Sequence, residues 1–127
     1  MLALLMSLYA PNLWADPTDT EVLELHKRWN TALAGASNFN VLAPMMSRSS
    51  LQELSSMDVK QQEATFMMLK MAGAMGGSKQ WTVESHRKEK GFFVYKLVHQ
   101  EKNSRGSTEL PVAEEDGQLK VDFRRKK

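Results

Sequence analysis

The segment Phe92-Phe93-Val94-Tyr95-Lys96-Leu97-Val98-His99 decides the fold. In an extended chain successive side chains point to opposite faces. Phe93, Tyr95, Leu97 and His99 therefore share one face, and Phe92, Val94, Lys96 and Val98 share the other. Both faces are largely apolar, which predicts a central strand, covered by helices on one side and partly on the other. Moving toward the N-terminus, Lys90-Gly91 reads as a turn. Before it, Trp81, Val83 and Ser85 alternate with Thr82, Glu84 and His86 in a further strand. Moving toward the C-terminus, Asn103-Ser104-Arg105-Gly106 reads as a loop. Thr108, Leu110 and Val112 then alternate in a third strand, where Pro111 lacks an N–H and implies an edge or a bulge. Glu115-Asp116-Gly117 is a hairpin turn. Leu119, Val121 and Phe123 alternate with Lys120, Asp122 and Arg124 in the last strand.

The first half has a different period. Thr18-Asp19-Thr20-Glu21 fits a capping box, with Val22, Leu25, Trp29, Ala32 and Leu33 following at three- and four-residue spacing. This predicts an amphipathic helix ending near Gly35. Residues 36–49 read as a short helical turn and a loop, since Pro44 breaks helical hydrogen bonding. Ser50, with Glu53 three residues on, starts a short second helix. Asp58, with Gln61 at the box position, caps a third that runs to about Met75, where Gly76-Gly77 stops it. Phe66, Leu69 and Ala72 lie along one side of that helix. Met67, Met71 and Met75 follow at four-residue steps beside Met68. Such spacing suits a buried face, so these methionines are expected to line the core or a groove. Thioethers are also soft ligands that suit Cu(I). Helices followed by an antiparallel meander make an α+β layout: three N-terminal helices on a curved, four-stranded antiparallel sheet, a cone-like roll.

Residues 1–15 carry no charged side chain and close on Leu13-Trp14-Ala15 before Asp16-Pro17. They read as a secretory signal peptide, and the remaining 16–127 as a single domain. The run falls short of the about 20 residues a membrane-spanning helix needs. The alternative is an apolar N-terminal helix packed on the domain. On the first reading the protein is exported, to the periplasm in a bacterial cell. The chain has no cysteine, which removes disulfides, a thiolate nucleophile and a lipid-anchored lipoprotein. The net charge of +2 is close to balanced, so no partner follows from it, and none of nucleic acid is expected. The basic tail Arg124-Arg125-Lys126-Lys127 reads as a solvated terminus.

The order of elements resembles the NTF2-like (cystatin-like) superfamily and, within it, small exported bacterial domains of unknown function. Three stretches carry the resemblance: the opening helix with Trp29, the segment Met46-Ser47-Arg48-Ser49-Ser50-Leu51, and the closing hairpin from Leu110 to Val121. Leu119 stands where many such domains have a tryptophan. The resemblance implies a sheet wrapped around a long helix with a conical pocket between them. Enzymatic members place an Asp or His acid–base pair inside the cone. No stretch here matches such a motif, so no catalytic residue carries over.

The expected site is a pocket between the methionine-rich helix and the sheet, lined by Trp29, Met71, Trp81, Tyr95 and His99. An apolar pocket with a few polar groups suits a small apolar or amphipathic ligand. The leading expectation is a non-catalytic exported binding or interaction protein without cofactor or metal. Its partner is a small apolar ligand or another protein. One alternative is an acid–base enzyme in the same cone, for which Tyr95 and His99 are the nameable pair. Another is an envelope protein that pairs as a homodimer through Phe92, Val94 and Val98 on the outer sheet face. His26, beside Leu25, reads as a rim or core histidine. Ser47, Ser49 and Ser50 lack a nucleophile-elbow motif, and Ser50 is explained by capping.

Overall fold

The computed structural model describes residues 16–76 and 79–123. The signal-peptide reading of residues 1–15, Gly77 of the predicted helix stop and the tail 124–127 lie outside the described residues.

Helix α1 spans Asp19–Gly35 and opens with the predicted capping box. Glu21 N–H donates to Thr18 Oγ1 at 3.2 Å, and Thr18 N–H donates back to Glu21 Oε1 at 3.3 Å. Its apolar stripe, Val22, Leu25, Trp29 and Leu33, is buried against the sheet. Two single 3-10 turns, Phe39–Val41 and Ala43–Met45, follow, with Pro44 inside the second. Helix α2 covers Arg48–Ser55 and helix α3 covers Val59–Gly76. Asp58 caps α3 as the sequence predicts, with Gln61 N–H on Asp58 Oδ1 at 2.8 Å. Strands β1 (Thr82–Glu89), β2 (Phe92–Glu101), β3 (Ser104–Glu115) and β4 (Gln118–Val121) form one antiparallel sheet in sequence order. The architecture is α+β, with helices packed on a four-stranded antiparallel sheet.

Several local expectations are corrected. The cap of α2 is Ser47, whose hydroxyl accepts from Ser50 N–H at 3.1 Å. Ser50 is instead a buried interior residue of that helix. Its hydroxyl lies 3.4 Å from Val121 O and accepts from Phe123 N–H. Ser47 N–H donates to Val121 O at 2.9 Å, so two serines stitch α2 to the end of β4. The loop predicted at 103–106 shrinks, because β3 already starts at Ser104 and its pairing runs from Ser104↔Glu101 onward. Pro111 sits where β4 pairing stops, since the β3–β4 register begins at Val112↔Val121. On that side β3 is an edge, and Pro111 O accepts from Asp122 N–H at 2.8 Å. Asp116 and Gly117 both have positive φ, 55° and 76°, as a type I′ hairpin turn requires.

Tyr95 and Leu97 of β2 are fully buried under the helices, and Phe93 packs beside them. The outer face is less exposed than the dimer alternative requires. Phe92 and Val94 are buried with Ala113 in a second small cluster, and Val98 is half-buried.

The largest correction concerns α3. Its buried residues are Phe66, Gly73 and Gly76. At Gly73 an added Cβ would stand 3.1 Å from Leu33 Cδ1, so the glycine is what lets α3 approach α1 this closely. Lys70 Nζ reaches Ala36 O, at the C-terminal cap of α1, at 2.7 Å. The methionines face the other way: Met67, Met68, Met71 and Met75 are 57%, 72%, 63% and 77% exposed. At 100° per residue, the four occupy an arc opposite the Phe66–Gly73 side. The sequence hides this because α3 is apolar nearly all round, and its packing side is made by glycine.

Ser50→Ala leaves Phe123 N–H without its side-chain acceptor in a part-buried position. It is expected to lower the unfolding free energy by about 1–3 kcal/mol. Ser55→Ala, on the exposed end of α2, should change it by less than about 0.5 kcal/mol. Urea unfolding of the two variants checks both values.

Candidate functional site

A cavity of about 600 Å³ opens between α1, α3 and the sheet. Its apolar wall includes Trp29, Leu33, Leu69, Trp81, Leu110 and Phe123, with His26, Asn30, His99 and Thr108 as polar groups. Trp29 reaches it because the α1 stripe faces the sheet, and its ring lies 5.5 Å from that of Phe123. Trp81 stands at the entry to β1. Its indole N–H donates to Gly76 O at 2.8 Å, tying the sheet to the last turn of α3. That contact needs glycine, since a Cβ at residue 76 would lie 2.9 Å from Trp81 Cζ2.

Two histidines flank this indole edge-on. His26 of α1 lies at 5.2 Å between ring centroids, with an interplanar angle of 88°. His99 of β2 lies at 4.6 Å and 86°. Burial lowers the pKa of His26, which favours the neutral ring. Asn30 Nδ2 is 3.3 Å from His26 Nε2, a distance at which the amide donates to the neutral imidazole. The His99 ring lies over the backbone of its strand partner Gly106, where a Cβ would come within 2.2 Å of His99 Nε2. His99 Nδ1 is buried and makes no hydrogen bond. Glu101 Oε1 is 3.8 Å from that nitrogen, too far for a hydrogen bond, and is held at 2.6 Å by Lys79 Nζ. Lys79 also borders the cavity.

Of the five residues expected to line the pocket, the structure brings Trp29, Trp81 and His99 together. Met71 points to solvent, and Met75 is the methionine of α3 that borders the cavity. Tyr95 is fully buried and does not line the cavity. Its hydroxyl donates to Pro17 O, and its ring stacks on His86 at 4.6 Å with an interplanar angle of 9°. His86 Nε2 lies 2.9 Å from Asp16 Oδ2. Burial, reinforced by Asp16, Asp19 and Glu21, pushes the Tyr95 phenol up to about 12. Tyr95 thus anchors the start of the domain, and the expected Tyr95–His99 acid–base pair is not assembled.

Sequence reasoning misses Asn30, Gly106 and Phe123 as cavity residues and reads His26 only as a rim or core side chain. For His26 and Asn30 a signal exists, since they flank Trp29 on the helix and lie four residues apart on one face. Gly106 is concealed by its assignment to a loop. Among the described residues no group of three or more His, Asp or Glu could hold a metal ion, and no helix is long and apolar enough to cross a membrane.

No family model matches the chain, and no curated protein matches it. Among solved structures the chain is similar to a Campylobacter jejuni protein described as an NTF2-like transpeptidase. That alignment has a TM-score of 0.48 and 12% identity, and covers 80% of this chain and 96% of the other. It is also similar to a de novo designed NTF2 fold protein, with a TM-score of 0.46, 6% identity, and coverage of 88% and 89%.

Gly106→Ala pushes a methyl group into the His99 ring and is expected to cost about 1–3 kcal/mol. In a Gly106→Ala/His99→Ala double variant that penalty should largely vanish, giving a coupling of about 0.5–3 kcal/mol. Additive costs would mean that the two residues are not in contact. A second expectation follows from His26. A histidine whose folded pKa is depressed contributes stability above its unfolded pKa, near 6.5, and that stability is lost as the pH falls. Urea midpoints measured from pH 7 to pH 5 should therefore fall more steeply for the parent chain than for His26→Gln.

Proposed function

We propose that this chain is an exported binding protein that takes up a small apolar or amphipathic molecule between α1, α3 and the sheet. The cavity of about 600 Å³ carries the reading, because its volume falls in the range of pockets that enclose small ligands. Trp29, Leu33, Leu69, Leu110 and Phe123 supply apolar contact area. The polar groups sit around Trp81: neutral His26 with Asn30, and His99. A bound molecule with one polar group gains orientation from these side chains, as a few polar groups do in an otherwise apolar pocket. An alcohol, amide or acid head near His99 and an aliphatic or aromatic body against the tryptophans satisfy both parts of the wall.

Export rests on residues 1–15, charge-free and closed by Ala15. Asp16 and Pro17 are held by His86 and Tyr95, so cleavage after Ala15 leaves a mature N-terminus already fixed to the domain.

Native mass spectrometry of protein purified with its own N-terminus is expected to give the mass of residues 16–127 together with any retained molecule. Titration with 1-aminoanthracene, an uncharged apolar fluorophore, should quench tryptophan emission saturably with one site per chain. Ala72→Phe narrows the cavity from an exposed wall position and should weaken binding at least tenfold. Met71→Leu, outside the cavity, should leave it unchanged. Non-saturable uptake, or equal binding by Ala72→Phe, would sink the pocket reading.

A further inference from the structure

The methionines of α3 contradict the packing role their spacing suggests. A helix that buries its methionines uses them as core filler. Here Phe66, Gly73 and Gly76 make the buried side, and four thioethers stand in solvent instead. The remaining described methionines behave conventionally. Met46 is buried, Met45 is half-buried, and Met57 Sδ accepts from Thr65 Oγ1 at 3.8 Å.

We propose that Met67, Met68 and Met71 form a binding site for a soft monovalent cation, Cu(I) or its surrogate Ag(I). Positions three and four apart on a helix hold their Cβ atoms about 5–6 Å apart. Met71 is four residues from Met67 and three from Met68, so it stands within reach of both. Met75 lies two turns beyond Met67, about 12 Å along the axis, too far to share an ion with it. Each side chain is unbranched with three rotatable bonds, so the sulfurs of Met67, Met68 and Met71 can meet on one ion without moving the backbone. Thioether sulfur selects soft metals such as Cu(I), while imidazole and carboxylate suit harder or borderline ions. With no cysteine in the chain, no thiolate competes for the ion. Lys70, the lysine in the middle of this stretch, is turned away and engaged on Ala36 O, so its ammonium does not oppose a bound cation at close range. The site is separate from the cavity around Trp81. Met75 borders the cavity and lies outside the cation site, so occupancy of one does not require the other.

Native mass spectrometry of the full chain titrated with silver nitrate is expected to show one Ag(I) per chain. In methyl-labelled protein, the methionine methyl resonances of Met67, Met68 and Met71 should shift on binding, while those of Met45, Met46 and Met57 stay in place. Met68→Leu and Met71→Leu should each weaken uptake about tenfold. The variant with Met67, Met68 and Met71 all changed to leucine should lose it. These exposed, volume-conserving changes should alter stability by less than about 0.5 kcal/mol, so lost uptake reports lost ligands. Anaerobic titration with Cu(I) against bicinchoninate should give the same order of variants. The proposal is overturned if the parent chain takes up no Ag(I), if the threefold variant retains uptake, or if the shifted methyls are those of Met45, Met46 or Met57. An apolar docking face for a partner protein would give the first of these results.

Discussion

Trp81 is the contact on which the candidate site depends. Its N–H holds the last turn of α3 through Gly76 O, its ring meets His26 of α1 and His99 of β2, and it is itself the entry to β1. One side chain therefore connects two helices with two strands. The contact is possible because residue 76 has no Cβ. The indole bridges from the sheet to α3 and forms part of the cavity wall. The polar atoms of the cavity gather around the same indole, so its shape and its chemistry have one origin.

A second theme is the use of missing side chains as positioning devices. Gly73 sets the distance between α1 and α3, Gly76 admits the indole, and Gly106 makes room for the His99 ring. None of these three roles involves a turn. A methyl group at any of them must displace a neighbouring side chain in a close-packed interior, where even small volume changes are felt. The serine pair of α2 works in the opposite way, adding polar atoms to the core. Ser47 and Ser50 are buried, and both hydroxyls are satisfied by backbone groups of α2 and of the chain around β4. They fix the short helix against the last strand without requiring much apolar area from it.

The elements themselves are largely legible in the sequence. The capping boxes at Thr18 and Asp58, the α1 stripe and the type I′ signal at Asp116-Gly117 are local chemistry, read between near neighbours in the chain. Strand alternation puts Tyr95 and Leu97 on the helix-covered face, where they are found. The site is legible only in part. Trp29, Trp81 and His99 lie where alternation and helical spacing put them. Tyr95 shares their face but is too deep in the layer to reach the cavity, being taken up by Pro17 O and the His86 ring.

What the sequence determined alone is periodicity: which residues share a helix face or a strand face, where each element starts, and the α+β order. That follows from backbone geometry, which acts between near neighbours. What only the tertiary structure decided is which face meets which partner. In α3 both sides are apolar enough to bury, and the regular four-residue spacing of the methionines suits burial as well as the Phe66–Leu69 side does. The glycine side wins because close approach of α3 to α1 and Trp81 requires small residues there. The same competition brings His26 and Asn30, near the start of the domain, into a cavity with His99 of the central sheet. Contact across that separation is set by the packing of whole layers, a constraint no local spacing contains.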